Sequence, residues 1–219
     1  MKAVGLSGMG KCIVNGSGDF FGIDIEIGED DYIIAADGGY DRLICEGITP
    51  NLVIGDFDSK TGERPSGKNV ISLPTEKNET DMDAAVRTGW GKGYREFHLF
   101  GGTGGRRFAH TIANIQLLSG IAIKGGRAYL HGENEISTVI FNDSMEFPAD
   151  KAGYISIFSL SDSSVGVNIE GLKYEIKNGI LQNSFALGVS NEFIGKLSRI
   201  SVDRGLLLVI TGNQGVVKC

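Results

Sequence analysis

Over the first 130 residues, short apolar runs alternate with segments whose apolar positions recur at helical spacing. The runs are CIVN from Cys12, YIIAA from Tyr32, LVIG from Leu52, VISL from Val70, FHLF from Phe97 and AYLH from Ala128, each read as a strand. A helix is predicted from about Gly39 to Glu46, stopped by Gly47 ahead of Pro50. A second begins near Thr80, whose hydroxyl can cap it, and ends at Gly89. A third runs from about Ala109 to Ser119 with Ile112, Ile115 and Leu118 on one apolar face. Alternation of this kind marks βα units around a largely parallel sheet.

After about residue 124 the pattern changes to the short runs STVIF, YISIF, VNIEG, LKYEI, SRISV and LLLVI, separated by Gly, Asn, Asp and Ser turns. No amphipathic helix of useful length appears there. The expected fold class is therefore α/β: a Rossmann-like, largely parallel sheet with flanking helices over residues 1–124, then an antiparallel β-sandwich domain over 125–219.

The composition is that of an ordinary globular protein: 219 residues, 41% hydrophobic and 22% charged. Thirty-three glycines against four prolines point to many tight turns and close backbone approaches. A net charge of -6 argues against a general nucleic-acid binder, which needs a basic surface. It leaves room for a polyphosphate, because Mg²⁺ can sit between carboxylates and phosphate oxygens. Cys12, Cys45 and Cys219 are odd in number and contain no CxxC, so neither a disulfide framework nor a zinc site is indicated. The opening MKAVGLSGMGKCIV holds no continuous apolar stretch and the run at 206–210 is too short to span a bilayer, which makes a soluble cytoplasmic protein the expectation.

Four loops are expected to converge on the carboxyl edge of the sheet, where open α/β proteins bind ligands. They are Asn15-Gly16, Asp37-Gly38-Gly39, Gly55 to Ser59, and the run Gly101 to Arg107. Asp56 and Asp58 are two residues apart, so an extended segment would project both carboxylates the same way, as shared ligation of a hard cation requires. Asp37 would join them from the neighbouring loop. Asp81 opens a helix at the same edge, where it either serves the site or simply favours the helix dipole. The run GGTGGRR, with Thr103, Gly104, Gly105, Arg106 and Arg107, offers unhindered N–H groups and two guanidinium forks to phosphate. His110 follows it, as a phosphate contact or a structural hydrogen-bonder, while His98 and His131 read as structural. The stretch GLSGMGKC fits the P-loop spacing but puts Cys12 where a hydroxyl belongs, and is set aside.

AADGGYDRL at 35–43, GITPNLVIGDFDS at 47–59, EKNETDMDAA at 76–85 and RRFAHTIANIQLL at 106–118 resemble, in order, the motifs of the thiamine pyrophosphokinase (thiamine diphosphokinase) family. GLKYEI at 171–176 and GVSNEF at 188–193 are similar to that family's second-domain signature. The resemblance implies Mg²⁺, ATP as pyrophosphoryl donor, thiamine as acceptor, and a homodimer with active sites between subunits. By the same resemblance Asp37, Asp56, Asp58 and Asp81 form the metal and pyrophosphate site, and Lys77 and Arg107 contact phosphates. The resemblance further implies that Ser190 and Asn191 help hold thiamine, and Asp58 or Asp81 is expected to orient the acceptor hydroxyl or accept its proton. Ala109 and Asn78 stand where the family commonly has aspartate. The residue chemistry alone supports only a Mg²⁺-polyphosphate site. It leaves open another phosphotransferase on the same fold, or a non-catalytic thiamine- or nucleotide-binding regulator.

Overall fold

The first sheet is organised around β1 (Cys12–Asn15), all four of whose residues are buried. Parallel strands lie on both sides of it: β2 (Tyr32–Ala36) on one and β5 (Glu96–Phe100) on the other. Beyond β2 follow β3 (Leu52–Gly55) and β4 (Val70–Ser72), again parallel, giving the order β5-β1-β2-β3-β4. The chain therefore steps outward through β4 and returns to the far side of β1, which creates a reversal of strand order beside β1. The computed structural model describes residues 10–57, 67–74, 76, 78–104 and 108–212. The chain divides into two units, one of residues 1–117 with 130–132, the other of 118–129 with 133–219.

In the first unit α1 (Gly39–Cys45) packs on β1 and β2, and α2 (Asp81–Gly91) on β1, β2 and β3. Segment 16–31, between β1 and β2, contains no helix. Phe20, Ile23 and Ile25 of that segment cover instead a cluster formed by Ile13, Ile33, Ala35, Leu43, Val53, Phe57 and Phe100. Thr80 caps α2: its hydroxyl accepts the Asp83 N–H at 3.1 Å while the Asp83 carboxylate accepts the Thr80 N–H.

Three sequence expectations are corrected. First, α2 does not stop at Gly89, because this glycine serves packing rather than termination: a Cβ there would lie 2.7 Å from Cys12 Sγ and 3.0 Å from Phe97. The stop comes at Gly93, whose φ of 103° lets the Tyr94 N–H reach back to the Gly89 carbonyl. Second, α3 (Phe108–Ile123) runs past Ser119 and closes at Gly125, φ 82°. Its buried stripe is Asn114, Leu118 and Ile121, with Ile112 exposed. Third, Phe57 has φ 55°, so the residue after Asp56 is not extended as expected, while Asp58 lies outside the described residues. Phe57 itself is buried, its ring anchored in the first-unit core.

Between the units the chain runs through β6 (Arg127–His131), whose residues are divided between them. The second unit holds β7 (Glu135–Phe141), β8 (Ser144–Phe147), β9 (Tyr154–Ser159), β10 (Ser163–Glu170), β11 (Ile176–Gln182), β12 (Gly188–Glu192), β13 (Ser198–Ser201) and β14 (Leu206–Gly212). Antiparallel pairing gives one layer ordered β12-β9-β14-β7 and another ordered β11-β10-β13-β8. Ile155, Ile157, Leu207 and Val209 of the first layer meet Val167, Ile169, Leu181 and Ile200 of the second in one buried cluster. The stretch LKYEI is not a strand. Leu172 forms an isolated bridge with Phe193, and Tyr174 bonds to a side chain instead of a strand partner.

Candidate active site

The carboxyl ends of β1, β2 and β5 open into a cleft of about 610 Å³, a volume suited to a small-molecule ligand. Its floor is main chain. After β1, the Gly16 N–H donates to the Phe100 carbonyl at 2.8 Å, Gly18 N–H to Gly101 at 2.7 Å and Asp19 N–H to Thr103 at 3.2 Å. These bonds zip the loop after β1 to the loop after β5. Gly101 sits at φ 58°, where a side chain would also run into the Gly16 carbonyl, so only glycine fits both demands. Asn114 of α3 fixes the same loop from behind, donating from Nδ2 to the Gly102 carbonyl at 2.7 Å.

Asp37 follows β2 in the left-handed region, φ 49°, with its N–H bonded to the Ile54 carbonyl at 2.7 Å. Aspartate tolerates this conformation better than bulkier residues, and such local strain recurs at functional sites. Asp81, the first residue of α2, faces the same cleft with Thr80, Glu79 and Met82. Thr103, Gly104 and His110 also line it, so five of the expected site residues converge there: Asp37, Asp81, Thr103, Gly104 and His110.

Others lie elsewhere. Asn15 is fully buried as the last residue of β1, donating from Nδ2 to the Gly39 carbonyl at 3.0 Å, which ties the strand to the start of α1. It frames the cleft rather than lining it. Gly38 is the residue before α1, and Asp56 is half-buried outside the lining. Asp58, Lys77, Gly105, Arg106 and Arg107 lie outside the described residues. In the second unit Ser190 is exposed at φ 57°, whereas Asn191 is buried with its amide in use. Asn191 Oδ1 accepts from the N–H groups of Tyr174 and Glu192 at 3.0 and 2.9 Å, and Nδ2 donates to the Tyr174 carbonyl at 2.7 Å.

Sequence reasoning missed Ser17, Asp19, Arg42, Glu79 and Asn114. For Arg42 a signal existed: it lies three residues past Gly39 in a predicted helix, so it stands on the helix face that begins at the strand end. Asp19 had none, because it belongs to an irregular segment.

The donor chemistry of this lining is carboxylate oxygen, the set that hard divalent cations take. Among the described residues no three His, Cys, Asp or Glu side chains converge closely enough to hold a metal by themselves. Asp58, the further carboxylate expected from the sequence, lies outside the described residues.

Cleft and strand order together define a two-unit α/β protein with a ligand site at a strand-order reversal, joined to an antiparallel β-sandwich. Residues 25–130 match the family described as "Thiamin pyrophosphokinase, catalytic domain", and residues 142–207 match "Thiamin pyrophosphokinase, vitamin B1 binding domain". The chain belongs to the thiamin pyrophosphokinase family. A thiamine pyrophosphokinase of Bacillus subtilis (strain 168) is 30% identical over 183 residues, 81% of this chain and 85% of that protein. A crystal structure of thiamine pyrophosphokinase from Bacillus subtilis superposes with a TM-score of 0.82 at 25% identity, covering 94% of this chain and all of that one. One from Geobacillus thermodenitrificans gives 0.79 at 25% identity, covering 94% of this chain and 98% of that one.

Proposed function

We propose that the protein transfers the pyrophosphoryl group of ATP to the hydroxyl of thiamine, giving thiamine diphosphate and AMP. The observation that carries this reading is the match of both family domains, in order, along one chain. The cleft supports it, because Asp37 and Asp81 share it with a floor of glycine main chain suited to phosphate oxygens.

In this reading Asp37, Asp56, Asp58 and Asp81 hold Mg²⁺, which neutralises charge on the donor phosphates when bound. Thr103, Gly104, Gly105, Arg106, Arg107, Lys77 and His110 hold the phosphates. Asn15 and Gly38 set the spacing of the loops around them. Ser190 contacts thiamine, with Asn191 holding the strand that carries it. Asp81 or Asp58 orients the thiamine hydroxyl and takes its proton as the oxygen bonds to the β-phosphorus and AMP departs. Positioning and electrostatic stabilisation supply most of the rate. Family membership also supports a cytoplasmic homodimer with sites between subunits, which sedimentation at twice the chain mass would test.

The deciding assay follows AMP and thiamine diphosphate from ATP, Mg²⁺ and thiamine. Equal amounts of the two products are expected. Release of ADP, or thiamine binding without AMP, would overturn the proposal.

A further inference from the structure

Among the described residues lining the cleft, four are carboxylates, Asp19, Asp37, Glu79 and Asp81, and Arg42 is the only arginine or lysine. Such a lining repels a polyphosphate unless cations offset it. Glu79 already has a partner in Arg87. The Arg42 guanidinium, by contrast, makes no hydrogen bond, ion pair or ring contact among the described residues, although it shares the cleft with these acids. An arginine that stays permanently charged and unpaired beside carboxylates is available to an incoming anion.

Its mounting is rigid. Arg42 projects from α1 next to Leu43, which is fully buried, and two turn contacts hold the helix start. Gly39 packs so closely on the Asn15 carbonyl that no side chain fits, and Asn15 Nδ2 bonds back to the Gly39 carbonyl. The helix fixes where the side chain starts, and its guanidinium offers two parallel N–H donors to the oxygens of a phosphoryl group.

We propose that Arg42 binds the phosphate groups of the polyphosphate donor, from the α1 side of the cleft. The proposal rests on the pyrophosphotransferase reading above and adds a donor-binding residue to it. Arg42 and the glycine loop after β5 then both serve the donor phosphates.

The test uses the full chain and the variants Arg42→Gln and Arg42→Lys. Arg42→Gln is expected to raise KM for ATP about tenfold, leaving KM for thiamine and the melting temperature unchanged. Arg42→Lys is expected to fall between, since it keeps the charge and loses the fork. Inorganic pyrophosphate should inhibit the Gln variant about tenfold more weakly than the parent. An unchanged KM for ATP in Arg42→Gln overturns the proposal and makes Arg42 a solvated surface residue. If Arg42→Gln lowers the melting temperature, Arg42→Lys decides: a several-fold rise supports the proposal and an unchanged value overturns it. Should the parent protein make no AMP, the functional reading fails separately. Calorimetry with Mg²⁺ and pyrophosphate then judges Arg42 alone, and equal affinity for parent and Gln variant, or no binding to either, overturns it.

Discussion

His98 Nδ1 lies 2.9 Å from His131 Nε2, so the two imidazoles share one proton between them. Carboxylates face the outer nitrogens: Glu96 Oε1 is 3.2 Å from His98 Nε2, and Asp24 Oδ1 is 3.4 Å from His131 Nδ1. Phe100, the last residue before the cleft loop, stacks on His131 with ring centroids 4.2 Å apart. Asp24 of segment 16–31 thus meets the first-unit sheet through a charge contact, His131 Nδ1 making no hydrogen bond among the described residues.

This pair makes stability depend on acid. Burial, and then the neighbouring His98, push the His131 pKa down to about 4, with Asp24 opposing. Between pH 6.5 and 4 the unfolded chain binds a proton that the folded chain refuses, so stability falls as pH drops through that window and levels below it. The loss is on the order of 3 kcal/mol. Chemical denaturation at a series of pH values should show it, and His131→Gln should flatten the slope in that window. An equal slope in parent and variant would remove His131 as the cause.

Gly39 and Asn15 set the mouth of the cleft. Gly39→Ala drives a methyl into the Asn15 and Gly16 carbonyls and forces α1 outward. Overpacking of this kind costs roughly 1–3 kcal/mol, a fall in Tm of several degrees. Thermal unfolding would measure it; a Tm within one degree of the parent would contradict the packing described here.

Asn191 takes the place of a neighbouring strand for Tyr174. Asn191→Ala leaves the Tyr174 N–H and carbonyl without their partner and should cost about 2 kcal/mol. Asn191→Asp keeps the acceptor and loses the donor, so it should fall between. If instead both variants unfold like the parent and only KM for thiamine rises, Asn191 acts on the ligand rather than on the fold.

Asp81 faces the cleft at the start of α2, one residue past the Thr80 cap. Asp81→Asn preserves the shape and removes the charge, so AMP formation should drop at least about 100-fold with little change in Tm. Thr80→Ala should cost about 1 kcal/mol by loss of the cap, with a smaller effect on rate. Turnover by Asp81→Asn close to the parent value would exclude Asp81 from the chemistry.

What the sequence determined by itself was local. Short apolar runs marked the six strands of the first 131 residues, most plainly β1, β2 and β3, where side chains buried on both faces leave no polar alternation to misread. Thr80 announced its helix through hydrogen-bonding chemistry that needs only neighbours along the chain. Ordered motifs likewise pointed to the family. Tertiary structure decided the rest. It made Gly89 a contact with Cys12 instead of a helix end, and it turned Phe57 into the left-handed region to seat its ring in the core. It also built β12 from the weak strand formers GVSNE by pairing them with β9, and spent the Asn191 amide on Tyr174. The cleft itself belongs to this second group. The loops holding Asp37, Asp81 and Gly101 meet because β5 returns to the far side of β1, and strand order is a long-range choice that no local pattern encodes. Arg42 stands between the two groups: its helical spacing put it on the face that begins at the strand end, and the folded cleft made that face part of the lining.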